Sequence, residues 1–335
     1  MINNKDNVYV GNKDKGNPYE GDLERGIDYD TYEANFIIVE QNGNFPLITH
    51  PYKINAKRLV KHLSLKEEQK ILDIGSGTGI STLELFLANS NIHIIGVEIS
   101  EGMFLTARYK FNQTNGEELI ERIKDENLLR YWEEFRKTSK PYKDKVEFIK
   151  ADFQEVELES RSINNAIANQ VLHWKDLSKS FKQLNKFLKH DGELIWSTSS
   201  HFYNDRDFPS LEFGFRCNDF VKYVLDEVNK SVSIIGNYLE ISRPKHNLDS
   251  LRKIALEQGF GVEQIATYLI PVDLQIFVKN HLPAIIRQLV DPKYDPSSLE
   301  IIIKEAIAKN INDPKTLGDI KHKYDINPIF RSFKL

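Results

Sequence analysis

The apolar and polar positions of this chain switch repeatedly between a strand period and a helix period. Gln69 to Leu72 reads as strand and leads into Ile71-Leu-Asp-Ile-Gly-Ser-Gly-Thr-Gly-Ile80; Leu83, Leu85, Phe86 and Leu87 follow at helical spacing. Ile92-His-Ile-Ile-Gly-Val-Glu98 is a second apolar run, after which Ser100 has the position of an N-cap for a helix over Glu101 to Lys110. Val146 to Phe153 and Ile163 to Trp174 supply a third and a fourth strand with their exit loops. Phe181, Leu184, Phe187 and Leu188 form a helix face, Lys189 to Glu193 a turn, and Leu194 to Thr198 a fifth strand. Nearly continuous apolar runs suit parallel strands covered on both faces. Strand and helix in alternation predict an open α/β sheet, whose ligands bind beyond the carboxyl ends of the strands.

Other segments flank this core. Residues 1 to about 30 are rich in Asn, Asp, Gly and Lys without any period, the composition of a flexible or ligand-ordered arm, with Tyr19, Tyr29 and Tyr32 in or beside it. Ile54, Leu59, Val60 and Leu63 mark a helix beginning at Pro51, and Ser64 opens the turn into the first strand. Asn112 to Lys145 exceeds what a connection needs; Leu119, Ile123, Leu128, Trp132 and Phe135 recur at broadly helical spacing. One or two amphipathic helices there would cover the sheet edge or, alternatively, meet the acceptor or a second subunit. His201 to Arg216 is aromatic-rich and loop-like, then helical through Phe220, Val224, Leu225 and Val228. Leu248 to Gln258 reads as a helix ended by Gly259, Val262 to Leu269 as a strand, and Asp273 to Lys309 as helices broken at Pro283 and around Pro292 to Pro296. Asn327 to Leu335 alternates like a final strand. The expected organisation is an arm (1–50), a core (51–200), a cap insertion (201–247), a core continuation (248–270), a helical cap (271–322) and a last core strand (323–335).

Charge changes this picture little. Over 335 residues the net charge is -4, with both signs interspersed, which gives no electrostatic reason to expect nucleic acid or an anionic membrane as a partner. A single cysteine, Cys217, cannot form an internal disulfide and reads as a buried or idle thiol. With the polar start Met1-Ile-Asn-Asn-Lys and no apolar run of membrane-spanning length, a cytoplasmic protein is expected. No His, Cys and Asp cluster has metal-ligand spacing, so no metal is expected.

The chemistry begins at the glycines. Residues without Cβ atoms let the backbone take positive φ and approach a ligand closely, and a helix start offers N–H groups to an anionic one. A dinucleotide site needs a third glycine at the position of Ile80, so that template fails. With Asp73 at the strand end, Gly75-Ser76-Gly77-Thr78-Gly79 resembles the first motif of the class I S-adenosylmethionine (SAM) dependent methyltransferases, whose loop holds the methionine part of the cofactor. Glu98, about 20 residues further on, has the place of a carboxylate that accepts hydrogen bonds from both ribose hydroxyls. Ile99 to Met103 matches the family stretch passing the ribose and adenine. Asp152 and Phe153 match an acid that accepts from the adenine amino group and an apolar neighbour that packs on the ring.

Ala168-Asn169-Gln-Val-Leu172-His173-Trp174 is similar to a stretch of small-molecule methyltransferases, the trans-aconitate methyltransferase group among them, and adds Asn169 to the cofactor residues. Two departures are visible: Asn164 where the family often has Asp, and Glu193 where relatives often have a second glycine. The resemblance covers roughly residues 55 to 200. It implies a Rossmann-like, doubly wound, seven-stranded sheet, mostly parallel with an antiparallel last strand, carrying helical caps. It also implies SAM as cofactor and methyl transfer to a small-molecule acceptor. The family often covers its site with residues N-terminal to the core and places the acceptor cap after the fifth strand.

Methyl transfer from a sulfonium needs attacking atom, methyl and sulfur in line, and holding that geometry contributes roughly 7 to 11 kcal/mol. His173 is the candidate general base for a neutral hydroxyl or protonated amine; the alternative is a His-Trp pair that packs the pocket. Arg206 or Arg216 would hold a carboxylate acceptor, unless they are ordinary surface residues. Aromatic caps favour an apolar or aromatic acceptor, as in secondary metabolism, with a homodimer left open. The rivals are a SAM-binding cyclase, isomerase or regulatory protein and a protein or RNA methyltransferase. Against the last stand the missing basic patch and Asn169-Gln-Val-Leu in place of an Asn-Pro-Pro-Tyr-like loop.

Overall fold

The computed structural model describes residues 52–198, 246–272, 296–311 and 323–335, together with 26, 27, 29–31, 34, 203, 224 and 226–232. Tyr19, Tyr32, Arg206, Arg216, Cys217, Phe220, Leu225 and the 273–295 part of the helical cap lie outside these residues.

Helix α1 (Tyr52–Val60) precedes β1 (Lys70–Ile74), α2 (Ile80–Ala88), β2 (His93–Glu98) and α3 (Glu101–Lys110). Then come α4 (Glu117–Ile120), α5 (Glu126–Ser139), β3 (Val146–Lys150), β4 (Ile163–Asn169), α6 (Leu177–Phe187) and β5 (Leu188–Ser197). The rest is α7 (Leu248–Leu256), β6 (Phe260–Val272), α8 (Pro296–Ile311) and β7 (Lys323–Lys334). The caps form as the residue types dictate: Ser100 Oγ accepts from the Met103 N–H at the start of α3, and Asp125 does the same for α5.

The seven strands order as β3-β2-β1-β4-β5-β7-β6. β1 to β5 pair in parallel, whereas β7 lies antiparallel between β5 and β6. Chain order thus runs outward in opposite directions from β1 and β4, which leaves a crevice beyond their carboxyl ends. Alternate strand residues feed two apolar layers. Leu72, Ile74, Ala166, Leu194 and Trp196 meet Phe181, Leu184 and Phe187 of α6 and Leu251 of α7 on one face. Ile71, Ile167 and Ile195 meet Leu59 of α1, Leu83 and Phe86 of α2 and Phe111 on the other. Each such fully buried side chain stabilises the fold by roughly 1.5–3 kcal/mol.

The structure corrects three local expectations. β1 extends through Ile74, so Asp73 lies inside the strand and points between the sheet and α2. The turn expected at 189–193 is a bulge in β5: Leu188 pairs with Ile163 and Glu193 already with Asn165. A Cβ at Gly192 would lie 2.7 Å from the Asn164 carbonyl oxygen, so only glycine lets the bulge fold back on β4. The helices of 112–145 do two jobs: Phe135 packs beside Phe111 and Phe148 at the sheet edge, while Leu119, Leu128 and Trp132 bury Tyr109 and Ala34 of the arm. β6 runs longer than its apolar core suggests because β7 pairs with it from Phe260 to Val272. Among the described residues, no helix is long and apolar enough to cross a membrane.

Candidate active site

Gly75, Gly77 and Gly79 all sit in the left-handed region, with φ of 62°, 54° and 84°. Alternating positive φ turns the chain back from β1 within five residues and starts α2 at Ile80. Sterics separate the three: a Cβ would strike Val171 at Gly75 (2.4 Å) and Phe111 at Gly79 (2.9 Å), but at Gly77 it meets nothing closer than 3.9 Å. Gly77 therefore faces open space, as a position approached by a ligand does. The loop's N–H groups are more engaged than the sequence suggests. Those of Gly75 and Ser76 donate to the Val97 carbonyl, that of Gly79 to the Ser76 carbonyl, and that of Gly77 to Glu98 Oε2 at 2.9 Å.

Glu98 is fixed at the end of β2 by that bond and by the Ser100 N–H on Oε1 at 2.8 Å. Burial raises its carboxyl above the usual range, and the N–H groups of Ser100, Gly77 and Ile99 work in the opposite direction. The carboxylate keeps acceptor capacity for a ligand hydroxyl. Asp73 is buried more severely. Burial lifts its carboxyl to about 7 against the pull of the Thr82 hydroxyl, which donates to Oδ2 at 2.7 Å. Its Oδ1 and the buried Ser76 Oγ have no hydrogen-bond partner among the described residues.

Glu98 and the glycine loop floor a cleft of about 860 Å³, open mouth included, at the switch point of the sheet, while Asp73, fully buried behind them, is not part of its lining. Gly75, Ser76, Gly77, Thr78, Glu98, Ile99, Met103, Phe153 and Asn169 line it, so most of the expected cofactor residues share one wall. Asp152 is placed differently. Its neighbours Ala151 and Phe153 line the cleft, while its Oδ2 ion-pairs with Lys175 at 2.6 Å and its Oδ1 accepts from the Gln154 N–H.

The floor beyond β4 is a side-chain amide network. Asn169 Oδ1 accepts from Asn55 Nδ2 at 2.6 Å, and Asn169 Nδ2 donates to Ser81 Oγ and to the Tyr52 carbonyl. Asn55 Nδ2 also reaches Ser197 Oγ at 2.8 Å. Gln170, in the left-handed region at φ 60°, donates to the buried Asn327 of β7. His173 stands outside the cleft lining: it is the middle residue of a short 3-10 turn (Leu172–Trp174), with Nδ1 3.1 Å from Thr198 Oγ1 and its ring 5.0 Å from that of Trp174. Asn164 lies at the far end of β4, where its Oδ1 accepts from the Lys70 N–H and from Lys189.

Several residues of the site went unassigned in the sequence. Tyr52 and Lys175 line the cleft beside Tyr29 and Trp174, which the sequence singles out in the arm and in the His-Trp pair; the rings of Tyr29 and Tyr52 lie 4.7 Å apart. Asn55, one helical turn past Tyr52, carries the amide network. Asp30, fully buried on the arm, accepts from Thr78 Oγ1 at 2.6 Å, which ties the arm to the glycine loop. Only the polar Asn55 on the apolar face of α1 offered a visible signal. Among the described residues no group of His, Cys, Asp or Glu is arranged to hold a metal.

A SAM-type cofactor fits these features: an orphaned buried carboxylate oxygen, an open Gly77, a preset Glu98 and an apolar slot at Met103 and Phe153. Among curated proteins, the chain is 27% identical over 175 residues to a malonyl-acyl-carrier-protein O-methyltransferase of Acetivibrio thermocellus, covering 51% of this chain and 50% of that one. It is 26% identical over 178 residues to a carboxy-S-adenosyl-L-methionine synthase of Nautilia profundicola, covering 52% and 62%. The chain spans 36% to 62% of the length of the curated relatives it matches. Among solved structures, the YcgJ protein of Bacillus subtilis superposes with a TM-score of 0.47 at 15% identity, over 84% of this chain and 98% of that one. A methyltransferase domain model matches residues 50–229, more than half of the chain, and takes in the glycine loop, Glu98 and the β4 exit. The chain therefore belongs to the methyltransferase domain family, among the class I SAM-dependent methyltransferases.

Proposed function

We propose that this chain transfers a methyl group from SAM to an oxygen, nitrogen or carbon of a small metabolite with an apolar or aromatic body. The observation that carries this reading is the continuity of the cleft: from Glu98 and Gly77 it runs without a break to the aromatic groups of Tyr29, Tyr52 and Trp174. When bound, the cofactor supplies a methyl group on a cationic sulfur, open to in-line displacement. The protein's part is to hold and to exclude. Glu98 would accept from the ribose hydroxyls, Met103 and Phe153 would enclose the base, Asp152 would accept from its amino group, and Asp73 would sit behind the charged end. The Asn55–Asn169 network stiffens the floor on the acceptor side. Fixing two reactants in this way contributes roughly 7–11 kcal/mol to lowering the barrier. His173 would act as the general base where the acceptor carries a proton, contributing about 10² to 10⁴ fold.

The caps at 201–247 and 271–322 would enclose the acceptor over the core. Lys309 of α8 pairs with Glu227 at 2.6 Å, which links the two segments. A cytoplasmic role in secondary metabolism, free of nucleic acid, completes the proposal. The test is to incubate the protein with SAM and a panel of apolar and aromatic hydroxyl, amine and carboxylate compounds, and to follow S-adenosylhomocysteine by mass spectrometry. Release of S-adenosylhomocysteine with a methylated acceptor is expected; its absence across the panel would count against methyl transfer. A second reading, in which the cofactor itself is remodelled, is favoured by the similarity to a carboxy-S-adenosyl-L-methionine synthase. The same spectra would then contain a heavier adenosyl product and no methylated acceptor.

A further inference from the structure

We propose that Asp30 is a positioning residue that latches the N-terminal arm onto the glycine loop and turns the arm into a wall of the cofactor cleft. Release of the cofactor then requires this latch to loosen. The proposal rests on the SAM reading of the cleft.

Three donors from three elements converge on the Asp30 carboxylate. Thr78 Oγ1 of the glycine loop donates to Oδ1 at 2.6 Å; Lys110 Nζ of α3 and Trp132 Nε1 of α5 reach Oδ2 at 2.7 Å each. The Asp30 and Lys110 side chains are both 0% exposed, and the ammonium lies 4.0 Å from the centre of the Phe135 ring. A buried ion pair in apolar surroundings adds little net stability, and removing one partner strands the other. Neither Asp30 nor Lys110 is a member of the two apolar layers of the sheet. What the set of bonds specifies is where the arm lies.

The rest of the arm follows. A Cβ on Gly26 would come within 2.6 Å of the Gly102 carbonyl oxygen, so the arm touches the backbone of α3. Ala34 is buried among Tyr109, Leu119, Leu128 and Trp132. Between these anchors, Tyr29 lines the cleft with its ring beside Tyr52 of α1. Thr78 is flanked by Gly77, whose N–H is held by Glu98, and by Gly79, which caps α2. Latch and cofactor loop therefore share a residue, and opening one disturbs the other.

The probe is radiolabelled S-adenosylhomocysteine, its release followed after dilution, with tryptic cleavage of the arm read in parallel. Proteins are the wild type, Asp30→Ala, Trp132→Phe and a control, Leu184→Ala, which removes a buried side chain of α6 away from the arm. Asp30→Ala should speed release about ten-fold or more and expose the arm to trypsin. Trp132→Phe, which deletes one donor and keeps a ring, should shift both readouts the same way by less. It serves in place of Asp30→Ala if that variant does not fold. Leu184→Ala should lower the melting temperature while leaving release and cleavage as in the wild type. Wild-type release from both arm variants, or equally fast release from Leu184→Ala, would overturn the proposal. Failure of the wild type to bind the probe would instead overturn the cofactor reading. The latch would then stand or fall on whether Asp30→Ala alone exposes the arm to trypsin.

Discussion

On the β1 to β3 side of the cleft, the polar groups come from strand ends and turns: Glu98 answers the N–H groups of Gly77 and Ser100, and Asp73 the hydroxyl of Thr82 nine residues on. On the β4 to β5 side they come from side-chain amides that are far apart in sequence, Asn55 with Asn169 at 114 residues and with Ser197 at 142. The first side is built of charge held by backbone, the second of neutral groups held by one another. The two respond differently to perturbation. A buried carboxylate couples the fold to pH and to a ligand, whereas an amide network couples it mainly to shape.

The largest expected effect lies at Asp73. In the unfolded chain this carboxyl ionises near 3.8 and in the folded protein near 7. Between those values the folded state holds the extra proton, so this group's contribution to stability falls as pH rises and is fully unfavourable above 7. Asp73→Asn removes the titration. At pH 8 the ligand-free variant should be more stable than the wild type by up to about 4 kcal/mol, and below pH 4 the two should converge. Denaturant titrations across pH 4 to 8 measure the difference. A gap that does not change with pH would mean that the carboxyl is not held neutral by burial.

Glu98 tests the same side through the ligand. Glu98→Ala deletes the carboxylate proposed to accept from two ribose hydroxyls and frees the Gly77 N–H. Two lost bonds to a charged group, at about 1.5–3 kcal/mol each, predict a loss of S-adenosylhomocysteine affinity of roughly 100-fold or more. Isothermal titration reads this directly, and an affinity within a few fold of the wild type would remove Glu98 from the cofactor wall.

The same division decides what could be read from the sequence. Glycines, strand-end acids and N-caps act on neighbours within a few residues, so their spacing shows directly in Asp73 to Gly79 and in Glu98 to Ser100. The sheet was legible for a similar reason, since an apolar run fixes a strand wherever it pairs. Asn55, Asp30 and the Lys175–Asp152 pair were not legible. Their partners are set by how α1, the arm and the β4 exit pack, and nothing in a local window distinguishes Asp30 from the other acids of a polar, aperiodic arm. The β5 bulge escaped for a steric reason: Gly192 is required by the approach of the Asn164 carbonyl, not by a turn of its own.

The amide side should respond through stability alone. Asn55→Ala withdraws the donor from Asn169 Oδ1 and Ser197 Oγ, both at the floor of the cleft. Leaving buried acceptors unmet costs about 1–3 kcal/mol, so the melting temperature should fall. S-adenosylhomocysteine affinity should stay within about three-fold, because the charged and ribose contacts proposed for the cofactor fall on the other side. Loss of affinity as large as that in Glu98→Ala would show that the two sides act as one unit.

The smallest effect on stability and cofactor affinity is expected at His173. Its side chain lies outside the cleft lining and its Nδ1 meets Thr198 Oγ1 at 3.1 Å, a contact beyond the carboxyl end of β5. His173→Ala removes the bond to Thr198, worth about 1 kcal/mol, and part of the packing against the Trp174 ring. In a chain of 335 residues the melting temperature should drop by only about 1–2 °C for each kcal/mol lost. S-adenosylhomocysteine affinity should not change by more than about two-fold, since no cofactor-facing atom is lost. A ten-fold weakening would instead put the imidazole against the cofactor, moving the border between the two sides of the cleft from Asn169 to Trp174.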